Sequence, residues 1–231
     1  MKAALFDLDG TLLDSNRVWA RVDELFFAAR GLEIPADYAR AISGMSFFST
    51  AAYTKERFAL PETADEIVRE WTEMTARTYA EHVALKPGSA EFLRALKARG
   101  VRLAVVTSLH RALYAPCLAR HTLLDLFDLC LSTDEAGGKS KADGHLYRMA
   151  ADRLGVPYPD CAVFEDVYEG ILGAKSIGMR AFCVVDSKYT HHLDEIREIA
   201  DGVGESVGVA WRNGDVARSS APGPRSREDL P

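Results

Sequence analysis

The chain has 231 residues, 48% hydrophobic and 27% charged, with a formal net charge of −6. That is the make-up of an ordinary globular chain, and its acidic balance excludes the basic footprint needed for nucleic acid or an anionic membrane. No apolar run approaches the roughly 20 residues of a membrane span, and the start shows no signal-peptide apolar region. Cys117, Cys130, Cys161 and Cys183 form no CxxC pair. Reduced thiols in a cytoplasm are therefore expected, not a disulfide frame or a zinc site.

In chain order, residues 2–6 read as a strand. From Val18 to Tyr79 the pattern turns helical: Val18, Val22, Phe26 and Ala29 recur at helix spacing, as do Ile67, Trp71, Met74 and Thr78. Thr63 and Glu66 have the spacing of a capping box. Pro87-Gly88 marks a boundary, after which strands and helices alternate. Strands are expected at 102–106, 129–131, 162–164 and 180–185. Helices are expected near 90–99, 111–119, 145–154, 169–177 and 191–199. Apolar strands separated by amphipathic helices imply a parallel sheet covered on both faces, an α/β core interrupted after its first strand by a helical insert. The core is assigned to 1–15 and 84–205, and the insert to 16–83. Residues 206–231 are expected to be an extension, largely a disordered tail, because the composition from Arg212 turns to Ser, Pro, Arg and Gly.

Acidic and hydroxyl side chains gather where strands end. Asp7 and Asp9 lie two apart on an extended segment and so start on one side of the chain. Gly10 allows a tight turn. Two adjacent carboxylates are costly without a positive partner, which points to a hard divalent cation; a solvated acidic turn is the bland alternative. Thr107 and Ser108 follow the next strand, where hydroxyl and amide groups suit a phosphate oxygen, although Ser108 also suits a helix cap. Glu165 and Asp166 end a further strand, with N-capping the simpler role for Asp166. Lys139 and Lys141 sit in a Gly-rich turn before a helix with Asp143 as its expected N-cap; a solvated loop explains them as well.

Taken together, FDLDGT at 6–11, VVTS at 105–108, the lysine loop and FEDVYEG at 164–170 resemble the haloacid dehalogenase-like (HAD) superfamily. The resemblance is to the branch with a helical cap after the first strand, near its β-phosphoglucomutase and sugar-phosphate phosphatase members. It implies a Rossmann-like, doubly wound parallel sheet carrying an inserted α-helical cap. The family loop usually reads Gly-Lys-Pro-x-Pro-Asp. Counting back from Tyr147 and Leu154-Gly155 aligns Lys141 with its lysine, leaves Lys139 outside, and puts Ala142 and Gly144 where prolines are usual. Relatives also finish with another strand and helix beyond Asp201, an ending that GVGESVGVAW and the polar tail do not resemble.

The resemblance implies that Asp7 is a nucleophile forming an aspartyl-phosphate and that Asp9 is the general acid and then the base. Thr107 and Lys141 would hold the phosphate oxygens, and Gly10, Thr11, Ser108 and Ser46 would contact substrate. Mg²⁺ would be held by Asp7, the Asp9 carbonyl, Asp166 and, less directly, Glu165. An acid at Asp9 sets the chain apart from the superfamily's dehalogenases and phosphonate hydrolases. The specificity loop falls at Ser43-Gly44-Met45-Ser46, beside Phe47 and Phe48, with Arg17, Trp19 and Arg40 as further cap candidates. The expected function is a Mg²⁺-dependent phosphatase of a small phosphorylated metabolite, acting as a monomer or weak homodimer without nucleic-acid or membrane partners. A β-phosphoglucomutase-like isomerase is the alternative, and a catalytically silent binding protein the more remote one.

Overall fold

Strand β1 (Ala3–Phe6) is buried along its whole length, and its side chains alternate between two apolar layers. Ala4 and Phe6 join one layer, Ala3 and Leu5 the other. The computed structural model describes residues 1–43, 45–136, 141–186 and 190–219. After β1 come β2 (Leu13–Asp14) and four helices, α1 (Asn16–Ala29), α2 (Tyr38–Ile42), α3 (Phe47–Phe58) and α4 (Ala64–Glu81). Then β3 (Ala84–Leu85), α5 (Ser89–Ala98), β4 (Arg102–Thr107), α6 (Arg111–Arg120), β5 (Leu129–Ser132) and α7 (His145–Leu154) lead into the second half. It consists of β6 (Cys161–Glu165), α8 (Tyr168–Ser176), β7 (Arg180–Val184), α9 (Leu193–Ile199), β8 (Gly202–Gly204) and α10 (Val207–Ser219).

Six strands form one parallel sheet in the order β5-β4-β1-β6-β7-β8. Helices α5, α6 and α10 cover the face that receives Phe6, Val105, Phe164 and Phe182. Helices α7, α8 and α9 cover the face that receives Leu5, Val106, Val163 and Cys183. This is the Rossmann-like, doubly wound α/β fold with an inserted helical cap. The short β2–β3 ribbon is antiparallel and lies where the chain leaves the core and returns. Helices α1, α3 and α4 close with Tyr38 around a cluster of their own, in which Phe26, Phe27, Phe47, Ile67 and Trp71 interlock. The capping box at Thr63 and Glu66 is present. All four cysteines are free, and no helix among the described residues is long and apolar enough to cross a membrane.

One local expectation and two alternative readings are corrected. The N-cap of α7 is Gly144 rather than Asp143, whose carboxylate instead accepts the His145 N–H at 2.8 Å. His110, not Ser108, caps α6, and Val167, not Asp166, precedes α8. The chain also has a final strand and helix after Asp201: β8 pairs with β7, and α10 packs on the sheet. Residues 207–219 are thus not a disordered tail, while 220–231 lie outside the described residues. Helix α10 presents Val207, Ala210, Trp211 and Gly214 at helix spacing, a stripe whose small members carry little hydrophobic signal.

Candidate active site

Three adjacent strands deliver their last residues to one edge of the sheet. The Asp7 N–H donates to the Phe164 carbonyl at 3.0 Å, which seats the Asp7 carboxylate between the ends of β4 and β6. Thr107 ends β4, and Asp166 follows β6. Open α/β sheets bind ligands outside these carboxyl ends. Here they face a cavity of about 250 Å³ that runs from the sheet edge to the helical cap. Asp7, Asp9, Thr107, Ser108, Lys141 and Asp166 form its floor.

Lys141 lies on a short 3-10 turn, buried to 3% exposure. Its Nζ donates to Asp7 Oδ1 at 2.7 Å and to Glu165 Oε1. Glu165 Oε1 also accepts the Tyr147 hydroxyl at 2.8 Å, and its Oε2 accepts the Asp166 N–H at 3.1 Å. Glu165 therefore braces the lysine and lies behind the cavity wall rather than on it. Burial pushes the Asp7 carboxyl up to about 7, against the pull of Lys141. Asp166 is raised as well, by burial and then by the charges of Asp7 and Glu165. Burial alone would favour a neutral Lys141, yet the carboxylates of Asp7 and Glu165 outweigh it and hold the ammonium.

Asp7, Glu165 and Asp166 bring ligand oxygens within 4.8 Å of one another, all buried. One lysine cannot balance three carboxylates, and hard oxygen donors at this spacing fit a hard divalent cation. Gly10 makes the cluster possible. Its φ is +76°, and a Cβ there would fall 2.0 Å from Asp166 Oδ2.

Asp9 faces the cap. Its carboxylate accepts Ser15 Oγ at 2.6 Å, Tyr79 OH at 2.7 Å and Trp19 Nε1 at 2.9 Å. Burial raises its pKa despite these three donors. An acid two residues from a buried carboxylate, protonated more readily than usual and held by the cap, is placed for proton transfer.

Of the residues expected to touch substrate, Ser108 lines the cavity; Gly10, Thr11 and Ser46 do not. Gly10 packs on Asp166, and Thr11 is fully buried. Ser46 is also fully buried and caps α3, accepting the Ser49 N–H at 3.0 Å. Trp19, Met45 and Phe47 reach the cavity. Arg17 and Arg40 are exposed, as is Phe48 at 45%, and none of the three lines it. Gly44 and Lys139 lie outside the described residues. Asn16, Asp23, Thr50 and Trp71 also line the wall, and Tyr79 and Tyr147 hold the acids, without any motif announcing them. The one available signal was spacing: Asn16, Trp19 and Asp23 fall on one face of α1.

Known proteins share this architecture. The Drosophila melanogaster protein named "Probable pseudouridine-5'-phosphatase" is 29% identical over 215 residues, covering 89% of this chain and 93% of its own. The validoxylamine A 7'-phosphate phosphatase of Streptomyces hygroscopicus subsp. limoneus is 31% identical over 214 residues, covering 91% and 96%. Among solved structures, a variant of CbbY from Rhodobacter sphaeroides in complex with xylulose-(1,5)bisphosphate aligns with a TM-score of 0.77 and 26% identity, covering 89% of this chain and 94% of that one. The family model for haloacid dehalogenase-like hydrolases matches residues 1–178, which include all four motifs. The chain is therefore an enzyme of the haloacid dehalogenase-like hydrolase family, akin to its phosphatases.

Proposed function

We propose that this enzyme is a Mg²⁺-dependent phosphatase of a small phosphorylated metabolite, a sugar phosphate or similar phosphomonoester. It would act in a reducing cytoplasm, where its four cysteines stay free. The supporting observation is the juxtaposition of a buried Asp7 with Lys141, Asp166 and Asp9 at the floor of a capped cavity. Asp7 attacks the phosphorus, the ester P–O bond breaks, and Asp9 gives its proton to the departing alcohol. Water then attacks the aspartyl-phosphate, Asp9 takes a proton from it, and inorganic phosphate leaves with Asp7 regenerated. Lys141 and the Thr107–Ser108 segment offset charge on the phosphate oxygens. The Asp7 and Asp166 carboxylates and the Asp9 carbonyl, with Glu165 behind them, would hold Mg²⁺, which when bound neutralises negative charge between enzyme and phosphate.

Asp7→Asn tests this reading. The amide is nearly isosteric but cannot serve as the nucleophile, so Mg²⁺-dependent release from p-nitrophenyl phosphate should fall by at least about a thousandfold. The melting temperature should not fall, since a buried acid is replaced by a neutral group. A folded variant with near-parental activity would show that the covalent route is wrong.

A further inference from the structure

The far end of the cavity is an aromatic wall with a single acid in it. Trp19 and Phe47 pack edge to face with centroids 5.3 Å apart, and Phe47 meets Trp71 at 5.6 Å. Asp23 lies among them, one helical turn beyond Trp19 on α1, about 6 Å farther along the helix axis. Among the described residues no hydrogen bond or ion pair reaches its carboxylate. Lys141, at the opposite end, is the only cation among the described lining residues. The Trp71 indole N–H is buried with no acceptor among the described residues. Thr50 spends its proton on the Ser46 carbonyl at 3.0 Å, leaving oxygen lone pairs.

We infer that Asp23 selects the leaving group by accepting a hydrogen bond from a substrate hydroxyl. The enzyme thus takes phosphomonoesters of neutral, hydroxylated compounds and turns away those with a second anion. The inference rests on the phosphatase reading of Asp7, which fixes the phosphate at the floor and points the alcohol half at the cap.

A substrate bound that way spans from Asp7 past Trp19 to Asp23, and a hydroxyl on it donates to the Asp23 carboxylate. Apolar faces of a polyol or sugar ring lie against the aromatic side chains. A carboxylate or second phosphate would instead meet Asp23 with no cation beside it among the described residues. Like charges about 4 Å apart in a partly closed site disfavour such a ligand on the order of a hundredfold. Burial without a donor pushes Asp23 up to about 7, consistent with a group whose partner arrives with the substrate. The same wall disfavours the isomerase alternative, whose bisphosphate intermediate needs a second phosphate seat.

The test compares matched substrates with Mg²⁺ present at pH 8, where the Asp23 carboxyl is ionised: glycerol 3-phosphate against phosphoglycolate, and a ketopentose 5-phosphate against its 1,5-bisphosphate. The parent should favour the neutral member of each pair by tenfold or more in kcat/KM, on the order expected for one charged hydrogen bond. Asp23→Asn should raise KM for the neutral members and improve kcat/KM for the anionic ones, narrowing each ratio by about tenfold. Opposite changes on two substrates cannot come from partial unfolding. A parent that prefers the anionic members overturns the inference, as does a variant that leaves both ratios intact or scales all substrates equally. A parent with no Mg²⁺-dependent release from p-nitrophenyl phosphate overturns the phosphatase reading itself, and the selectivity claim with it.

Discussion

Gly10 has no room for even a methyl group. With φ at +76° and a Cβ position 2.0 Å from Asp166 Oδ2, Gly10→Ala must both strain the backbone and displace the acid. The expected outcome is a loss of about 2 kcal/mol of stability together with a severalfold weaker Mg²⁺ dependence, read by thermal unfolding and metal titration of activity. Asp166→Ala separates the two effects, because it removes the proposed oxygen ligand without straining the turn: Mg²⁺ affinity should fall while the fold holds. Asp23 gives a pH signature. Its folded pKa is raised from 3.8 to about 7 by burial, so the folded state holds a proton that the unfolded chain has released. Stability contributed by that proton is complete below about pH 4, declines as pH rises, and is gone above about pH 7. Asp23→Asn should thus be neutral at pH 4 and stabilising by about 1–3 kcal/mol at pH 8, a range discounted for partial solvent exposure. Equal effects at both values would show that the carboxyl is not desolvated as described.

At the scale of elements, the lysine turn is held from outside itself. Gly144 sits at φ +70° against the Gly173 carbonyl of α8, and Gly173 in turn packs on the Lys141 carbonyl. Helix contact thereby supplies the rigidity that prolines give elsewhere in the family. Lys141→Ala should slow turnover about a hundredfold or more, and Lys139→Ala far less; equal, mild effects would mean that neither lysine serves the phosphate. Helices α1 and α4 act together on Asp9, the proposed general acid, through Trp19 and Tyr79. Tyr79→Phe removes one donor and loosens Asp9. It should reduce kcat/KM about tenfold for alkyl phosphates, whose alcohols need a proton to leave, and less for p-nitrophenyl phosphate. Equal slowing on both would assign Tyr79 to packing alone.

Across the whole molecule, two bodies with separate apolar clusters meet over the cavity, joined by contacts such as Ser43 Oγ donating to Glu169 Oε2 at 2.9 Å. The C-terminal helix belongs to the core body: Trp211 packs against Phe182 with ring centroids 5.0 Å apart and planes tilted by 51°, Asn213 donates to the Val203 carbonyl at 2.7 Å, and a Cβ on Gly214 would fall 2.4 Å from the Asp201 carbonyl. Truncation after Trp211 removes the last two contacts and more than half of the 13-residue helix. It should cost about 1–3 kcal/mol and lower the melting temperature by several degrees, and an unchanged melting temperature would show that the helix end is dispensable. The sequence by itself determined the alternating core, the cap's place in the chain and the acids at the strand ends. Those features are local: apolar periodicity reports burial on a strand or helix face, and a residue at a strand's carboxyl end has few places to go. It did not reveal α10, because alanine and glycine on its inner face mark close backbone approach rather than hydrophobicity. Only the tertiary structure decided which side chains complete the site. Tyr79 reaches Asp9 across 70 positions and Tyr147 reaches Glu165 across 18, and Asp23 becomes a cavity residue only because α1 packs where it does. Such partnerships depend on how helices cross and seat, and no spacing along one chain segment encodes them.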